Sequence, residues 1–135
     1  MTFIHLTDNF IISHERLSSI KLLVQDIPNE RVSILTYNNG SYNYEDMDSK
    51  YFSPYVFSKL ASYDFININN KMLIKPDIIP HINEIKYDDE KNKCILVIDN
   101  TIYAIYQKKL TAMDIYTAIN KQTNSGNFYK YFNFM

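Results

Sequence analysis

FININNKMLIKPDIIPHINEIK, residues 65–86, decides how the rest of this chain is read. Phe65, Ile66 and Ile68 fall at or near strand spacing, Asn69, Asn70 and Lys71 interrupt with polar side chains, and Met72, Leu73 and Ile74 resume the apolar run. The pattern favours two strands joined by a tight bend. Pro76 and Pro80 exclude an uninterrupted helix after it, because each lacks an N–H and drives the preceding residue out of the α region. Ile82 and Ile85 mark the next short buried element. Two stiff apolar anchors thus hold an exposed cluster of two amides and one ammonium.

Upstream, Phe3, Ile4 and Leu6 lead through Thr7, Asp8 and Asn9 to Phe10, Ile11 and Ile12. At a constant offset of 62 residues Phe3 matches Phe65, Ile4 matches Ile66, Ile12 matches Ile74, Leu17 matches Ile79, Ile20 matches Ile82, Leu23 matches Ile85 and Asp26 matches Asp88. This describes either two copies of one strand-turn-strand unit around a shared core, or chance likeness between two Ile-rich β segments. Both readings predict β structure.

Between these stretches, Asn38, Asn39 and Gly40 separate two strand-like runs, and Asn-Gly supplies the positive φ that a type I′ hairpin needs. Ser53 as N-cap and Pro54 at the first helical position open a short helix near 54–62, with Val56, Phe57 and Leu60 at helical spacing. Lys86 to Lys93 reads as a charged loop, Cys94 to Ile98 as a buried strand, Asp99 and Asn100 as a turn, and Ile102 to Tyr106 as the returning strand. Thr111 caps a second helix near 111–121 that carries Met113, Ile115, Tyr116 and Ile119. The fold expected is mainly β, with two similar strand-turn-strand units forming one domain over 1–120. Residues 121–135 end in Phe128, Tyr129, Tyr131, Phe132 and Phe134, too apolar for a solvated tail, and are expected to dock on the domain or on a second subunit, as in a homodimer.

With 135 residues, 46% of them apolar, the chain has enough material for one core. The formal charge of −1 creates no strong field toward nucleic acid or an anionic membrane. Cys94, the sole cysteine, cannot close an internal disulfide and reads as a buried thiol in a reducing compartment. The N-terminal stretch has no basic region followed by a long apolar one, and no run is long enough to span a membrane. A cytoplasmic location is expected. His5, His14 and His81 lie at no metal-ligand spacing, and two glycines cannot build a phosphate loop, so no metal, cofactor or catalytic constellation is predicted. An enzyme is not expected.

The order of an N-terminal strand, the capped FSKL segment, FININNKMLIKPDIIPHINEI and the final ILVIDNTIYAIYQKK resembles the LytTR-type DNA-binding domain of bacterial transcription regulators, over roughly Phe3 to Leu110. The resemblance implies an elongated β sandwich of the two similar units, an all-β domain that places loops, not a helix, into successive major grooves of double-stranded DNA. Asn69, Asn70 and Lys71 occupy the family's polar cluster, with Asn70 at the base-contacting position, where an amide can pair with adenine N6 and N7 together. Lys75 stands where the family carries a later Asn. The second contact loop is Gln25 to Arg31, with Asn29 and Arg31 available. The third follows the last hairpin, where Gln107 replaces the family's usual cation and Lys108 stands next to it. The bland alternatives are that Asn69 and Asn70 are ordinary turn residues, that Lys108 is a solvated strand end, and that Arg31 pairs with Asp26 or Glu30.

The function expected is thus a stand-alone DNA-binding transcription regulator, controlled by abundance, dimerisation or a regulatory protein partner. An interaction or inhibitor protein on a β scaffold, phage or mobile-element encoded, is the alternative. A third reading is an RNA-binding module with Tyr42 and Tyr44 as stacking platforms, residues otherwise explained as cross-strand packing.

Overall fold

Leu22 and Leu23, adjacent on one strand, are both fully buried, which requires a sheet covered on both faces. The computed structural model, which describes residues 2–26, 31–48, 53–106 and 110–123, builds that sheet. The element order is β1 (Phe3–Thr7), β2 (Phe10–Ser13), α1 (His14–Ser19), β3 (Ile20–Asp26), β4 (Arg31–Asn38), β5 (Ser41–Asp48) and α2 (Pro54–Ala61). It continues with β6 (Ile66–Ile68), β7 (Met72–Ile74), a 3₁₀ turn (Pro76–His81), β8 (Ile82–Asp88), β9 (Lys93–Ile98), β10 (Thr101–Tyr106) and α3 (Ala112–Thr123). The strands form three antiparallel sheets: β1-β2, the central β5-β4-β3-β7-β6, and β10-β9-β8.

One face of the central sheet sends Leu22, Val24, Leu35, Met72 and Ile74 against Cys94, Leu96, Ile98 and Ile105 of the three-stranded sheet and Ile115 of α3. The other face sends Ile20, Leu23, Ile34 and Leu73 against Ile4 and Leu6 of the two-stranded sheet and Val56, Phe57 and Leu60 of α2. The side-chain period of two along each strand divides the apolar residues between the two cores. Burying each such side chain contributes about 1.5–3 kcal/mol, so neither face is dispensable.

The local signals read from sequence act as expected at several places. Ser53 accepts a hydrogen bond from the Val56 N–H and Pro54 opens α2. Gly40 has φ of 83° in the β4-β5 turn, where a Cβ would have open space, so the glycine serves conformation rather than a close approach. The Thr111 hydroxyl accepts from the Asp114 N–H while the Asp114 carboxylate accepts from the Thr111 N–H, a reciprocal cap at α3.

Several expectations are corrected. Lys86 to Lys93 is not a loop: β8 runs on to Asp88, which pairs with Lys93, and only residues 89–92 turn. The Asp88 carboxylate accepts the N–H groups of Glu90 and Lys91, so a charged stretch folds tightly because its aspartate holds the backbone locally. Ile82 and Ile85 are only half-buried. Two helical turns also went unforeseen. Ser13 accepts from the Arg16 N–H to start α1, and prolines at 76 and 80 shape a 3₁₀ turn where only a break was expected. Residues 124–135, including the aromatic tail, lie outside the described residues.

Candidate nucleic-acid interface

The bend at 69–71 begins with Asn69 and Asn70 at φ of 52° and 57°, the left-handed region that Asn tolerates better than most residues. Asn67 fastens it twice. Its Oδ1 accepts the Asn70 N–H at 3.0 Å and its Nδ2 donates to Asn70 Oδ1 at 2.8 Å. The Lys71 N–H donates to the Ile68 carbonyl at 2.9 Å. From β3, buried Gln25 donates its backbone N–H to the Lys71 carbonyl at 3.0 Å and its side-chain Nε2 to the Asn70 carbonyl at 3.2 Å. The bend is therefore rigidly joined to the end of the central sheet.

That end also carries Arg31. Asp26, the last residue of β3, faces Arg31, the first of β4, across the ladder. Arg31, Asp26, Ser33 and Asp46 line a hollow of about 180 Å³ with Ile105, one residue before β10 ends. The 69–71 bend, the β3-β4 ends and the end of β10 therefore leave the protein at the same end of the strands. Asn69, Asn70, Lys71 and Arg31 are brought to this end; Asn29, Gln107 and Lys108 lie outside the described residues. The electrostatics of the rim are mixed. Asp26 and Asp46 stand around Arg31, and Asp46 Oδ1 accepts from the Ser33 hydroxyl at 2.6 Å.

Reading the sequence missed the two residues that hold the bend, Gln25 and Asn67. Both had a signal. Gln25 interrupts an otherwise apolar strand, and Asn67 precedes Asn70 by three, the spacing of a side chain that closes a turn.

The tyrosines proposed as stacking platforms do other work. Tyr42 packs on its cross-strand partner Tyr37 at 4.7 Å between ring centroids, and Tyr44 packs on Tyr103 of β10 at 5.4 Å, across the two sheets. Burial raises the Tyr44 hydroxyl above the ordinary phenol range. Cys94 is buried and burial pushes its thiol up to about 11, so it is unreactive near neutrality. Lys75 donates to the Leu17 carbonyl at 3.3 Å and lies 4.9 Å from the Phe65 ring centroid, with its ammonium pKa lowered by burial and by Lys21. That position puts it under the sheet end of α1, away from the bend it follows in sequence. Among the described residues no group of three His, Cys, Asp or Glu could hold a metal ion, and no helix is long and apolar enough to cross a membrane.

Comparison with protein-family models, with curated proteins and with solved structures finds no match for this chain.

Proposed function

We propose that this protein is a sequence-specific regulator that reads the major groove of double-stranded DNA through loops, in the manner of the LytTR-type domains that its sequence resembles. The observation that carries the reading is the common exit of the 69–71 bend, the β3-β4 ends and the end of β10 at one end of the strands. A duplex lying across that end meets all three.

Asn70 is the base-reading residue. Asn67 Nδ2 donates to one lone pair of Asn70 Oδ1, which leaves that oxygen's second lone pair and the Asn70 Nδ2 hydrogens for an adenine edge, in an orientation fixed before binding. Arg31 and Lys71 supply phosphate contacts. Asp26 and Asp46 offset part of that charge, so affinity is expected to lean on base contacts more than on counterion release.

A fragment from the gene's own locus should be retarded by the protein. Asn70→Ala should cost about 1–3 kcal/mol on the site and nothing on an unrelated sequence. Equal loss on both sequences would remove base reading from the proposal, and no retardation at low salt would remove DNA.

The alternative, a protein-binding role, is favoured by a different surface. Phe3 and Ile11 stand exposed on the outer face of the β1-β2 sheet, and Tyr55 of α2 is exposed as well. Capture of a partner lost on Phe3→Ser and Ile11→Ser, with no DNA retention, would select this reading.

A further inference from the structure

Asn39-Gly40 is the only Asn-Gly bond in the chain, since Gly126 follows Ser125. It forms the centre of the β4-β5 turn, between the paired residues Asn38 and Ser41. With φ of 51° at Asn39 and 83° at Gly40 the turn is of type I′. Both residues are exposed, and the space beside Gly40 is open. Among the described residues neither the Asn39 side chain nor the Gly40 N–H has a hydrogen-bond partner. An amide carbon and the backbone nitrogen that follows it are thus both unengaged.

A related turn brings the two together. Type II′, the other two-residue hairpin turn, also needs positive φ at its first central residue and differs from I′ by rotation of the central peptide. Its ψ of about −120° at that residue swings the next nitrogen to the side-chain face. Asn39 already holds the required φ, and the rest of the change falls on Gly40, whose φ reverses sign at little cost. The Asn38-Ser41 pair stays closed throughout. The other left-handed asparagines lack these conditions. After Asn69 the Asn70 N–H is held by Asn67 Oδ1 at 3.0 Å, and after Asn70 the Lys71 N–H is held by the Ile68 carbonyl at 2.9 Å. Asn92 and Asn100 are followed by Lys93 and Thr101, which open strands and carry side chains that crowd the approach.

We propose that Asn39-Gly40 is a self-modification site, at which the folded protein converts asparagine to isoaspartate. Hydroxide removes the Gly40 N–H proton, and the nitrogen attacks Asn39 Cγ. The Cγ–Nδ2 bond breaks and ammonia leaves with a proton from water, closing a cyclic imide. Water then opens the imide at the Asn39 backbone carbonyl to give isoaspartate, or at Cγ to give aspartate. Isoaspartate routes the chain through Cγ and adds one methylene to the turn, beside Tyr37 and Tyr42, whose rings pack at 4.7 Å across the strands. It also adds one negative charge to a chain of net charge −1. The site does not depend on DNA reading, since it lies at the opposite end of β4 from Arg31.

The test is incubation of the full-length protein in mildly alkaline buffer, followed by peptide mass spectrometry with fragmentation that separates isoaspartate from aspartate. The free peptide of residues 36–42 is the reference. Native Asn39 should convert at a rate within about tenfold of that peptide, which limits the cost of the turn rotation to about 1.4 kcal/mol. The rate should rise in proportion to hydroxide, isoaspartate should outnumber aspartate, and hydroxylamine should cleave the chain after Asn39 by trapping the imide. Gly40→Asn keeps a residue that tolerates positive φ but crowds the nitrogen, and should slow conversion at least about tenfold. The aged fraction, separated by its added charge, should melt below Asn39→Asp, which carries the charge without the methylene. A native rate more than about tenfold below the peptide, earlier conversion at another asparagine, or an unchanged rate in Gly40→Asn overturns the proposal.

Discussion

The first half of the chain, β1 to α2, and the second half, β6 to α3, repeat one order of elements: hairpin, short helical turn, three-stranded meander, helix. Their leading hairpins nevertheless have different neighbours. β7 pairs with β3 of the other half and extends the central sheet, whereas among the described residues β1 and β2 pair only with each other. Met72, Leu73 and Ile74 are all fully buried, while Phe10, Ile11 and Ile12 are half-buried or exposed. The insertion of β7 joins the halves, since Leu73 belongs to the core formed largely by first-half residues. It also carries the 69–71 bend to the end of β3. Among the described residues the corresponding bend at Asp8 and Asn9 has no such neighbour in the central sheet, so similar hairpins serve different ends according to what they pair with.

The strongest way to break this comparison is to cut the joint. Leu73→Ala should cost about 2–5 kcal/mol, lowering the urea midpoint with the slope unchanged, because both cores unfold together. Two separate transitions would show instead that the halves are independent. The turns give the next effect. Gly40→Ala places a side chain at φ of 83° and should cost about 1–2 kcal/mol, whereas Asn100→Gly at φ of 66° in the matching turn should be neutral or slightly stabilising in thermal melts.

The helix caps come third. Ser53→Ala and Thr111→Ala should each cost about 1 kcal/mol if α2 and α3 are equivalent supports, measured by chemical denaturation. Inequality would show that one helix is held mainly by packing. An effect confined to alkaline pH concerns Cys94, which at the same offset corresponds to fully buried Val32. The thiol pKa is raised on folding from 9.0 to about 11, so its contribution is complete below pH 9 and lost as pH rises through about 11. Cys94→Val should flatten the stability profile over that interval. Wild type and variant falling in parallel would dismiss the thiol as the cause.

Much of the fold was legible because its signals are local. Asn39-Gly40, Ser53-Pro54 and Thr111 fix backbone conformation within a few residues, and the strand pattern around 69–71 follows from a period of two. The helical turn α1 was hidden because its six residues carry too little periodicity to stand out from the strands on either side. The candidate interface was partly legible: Asn69, Asn70, Lys71 and Arg31 could be named, but not the carboxylates around Arg31. A hollow of about 310 Å³ lined by Lys21, Tyr37, Tyr42, Asp77, His81 and Asp99 left no trace, since its members come from β3, the β4-β5 hairpin, the 3₁₀ turn and the β9-β10 turn.

By itself the sequence determined where strands begin and turn, because φ preferences and side-chain alternation act between near neighbours. Only the tertiary structure decided that β7 rather than β2 joins β3. Both hairpins offer apolar triplets after a polar bend, and the choice rests on Gln25 bonding the carbonyls of Asn70 and Lys71 while Leu73 fills the opposite core. Such partners lie some 45 residues apart, beyond the reach of any local rule.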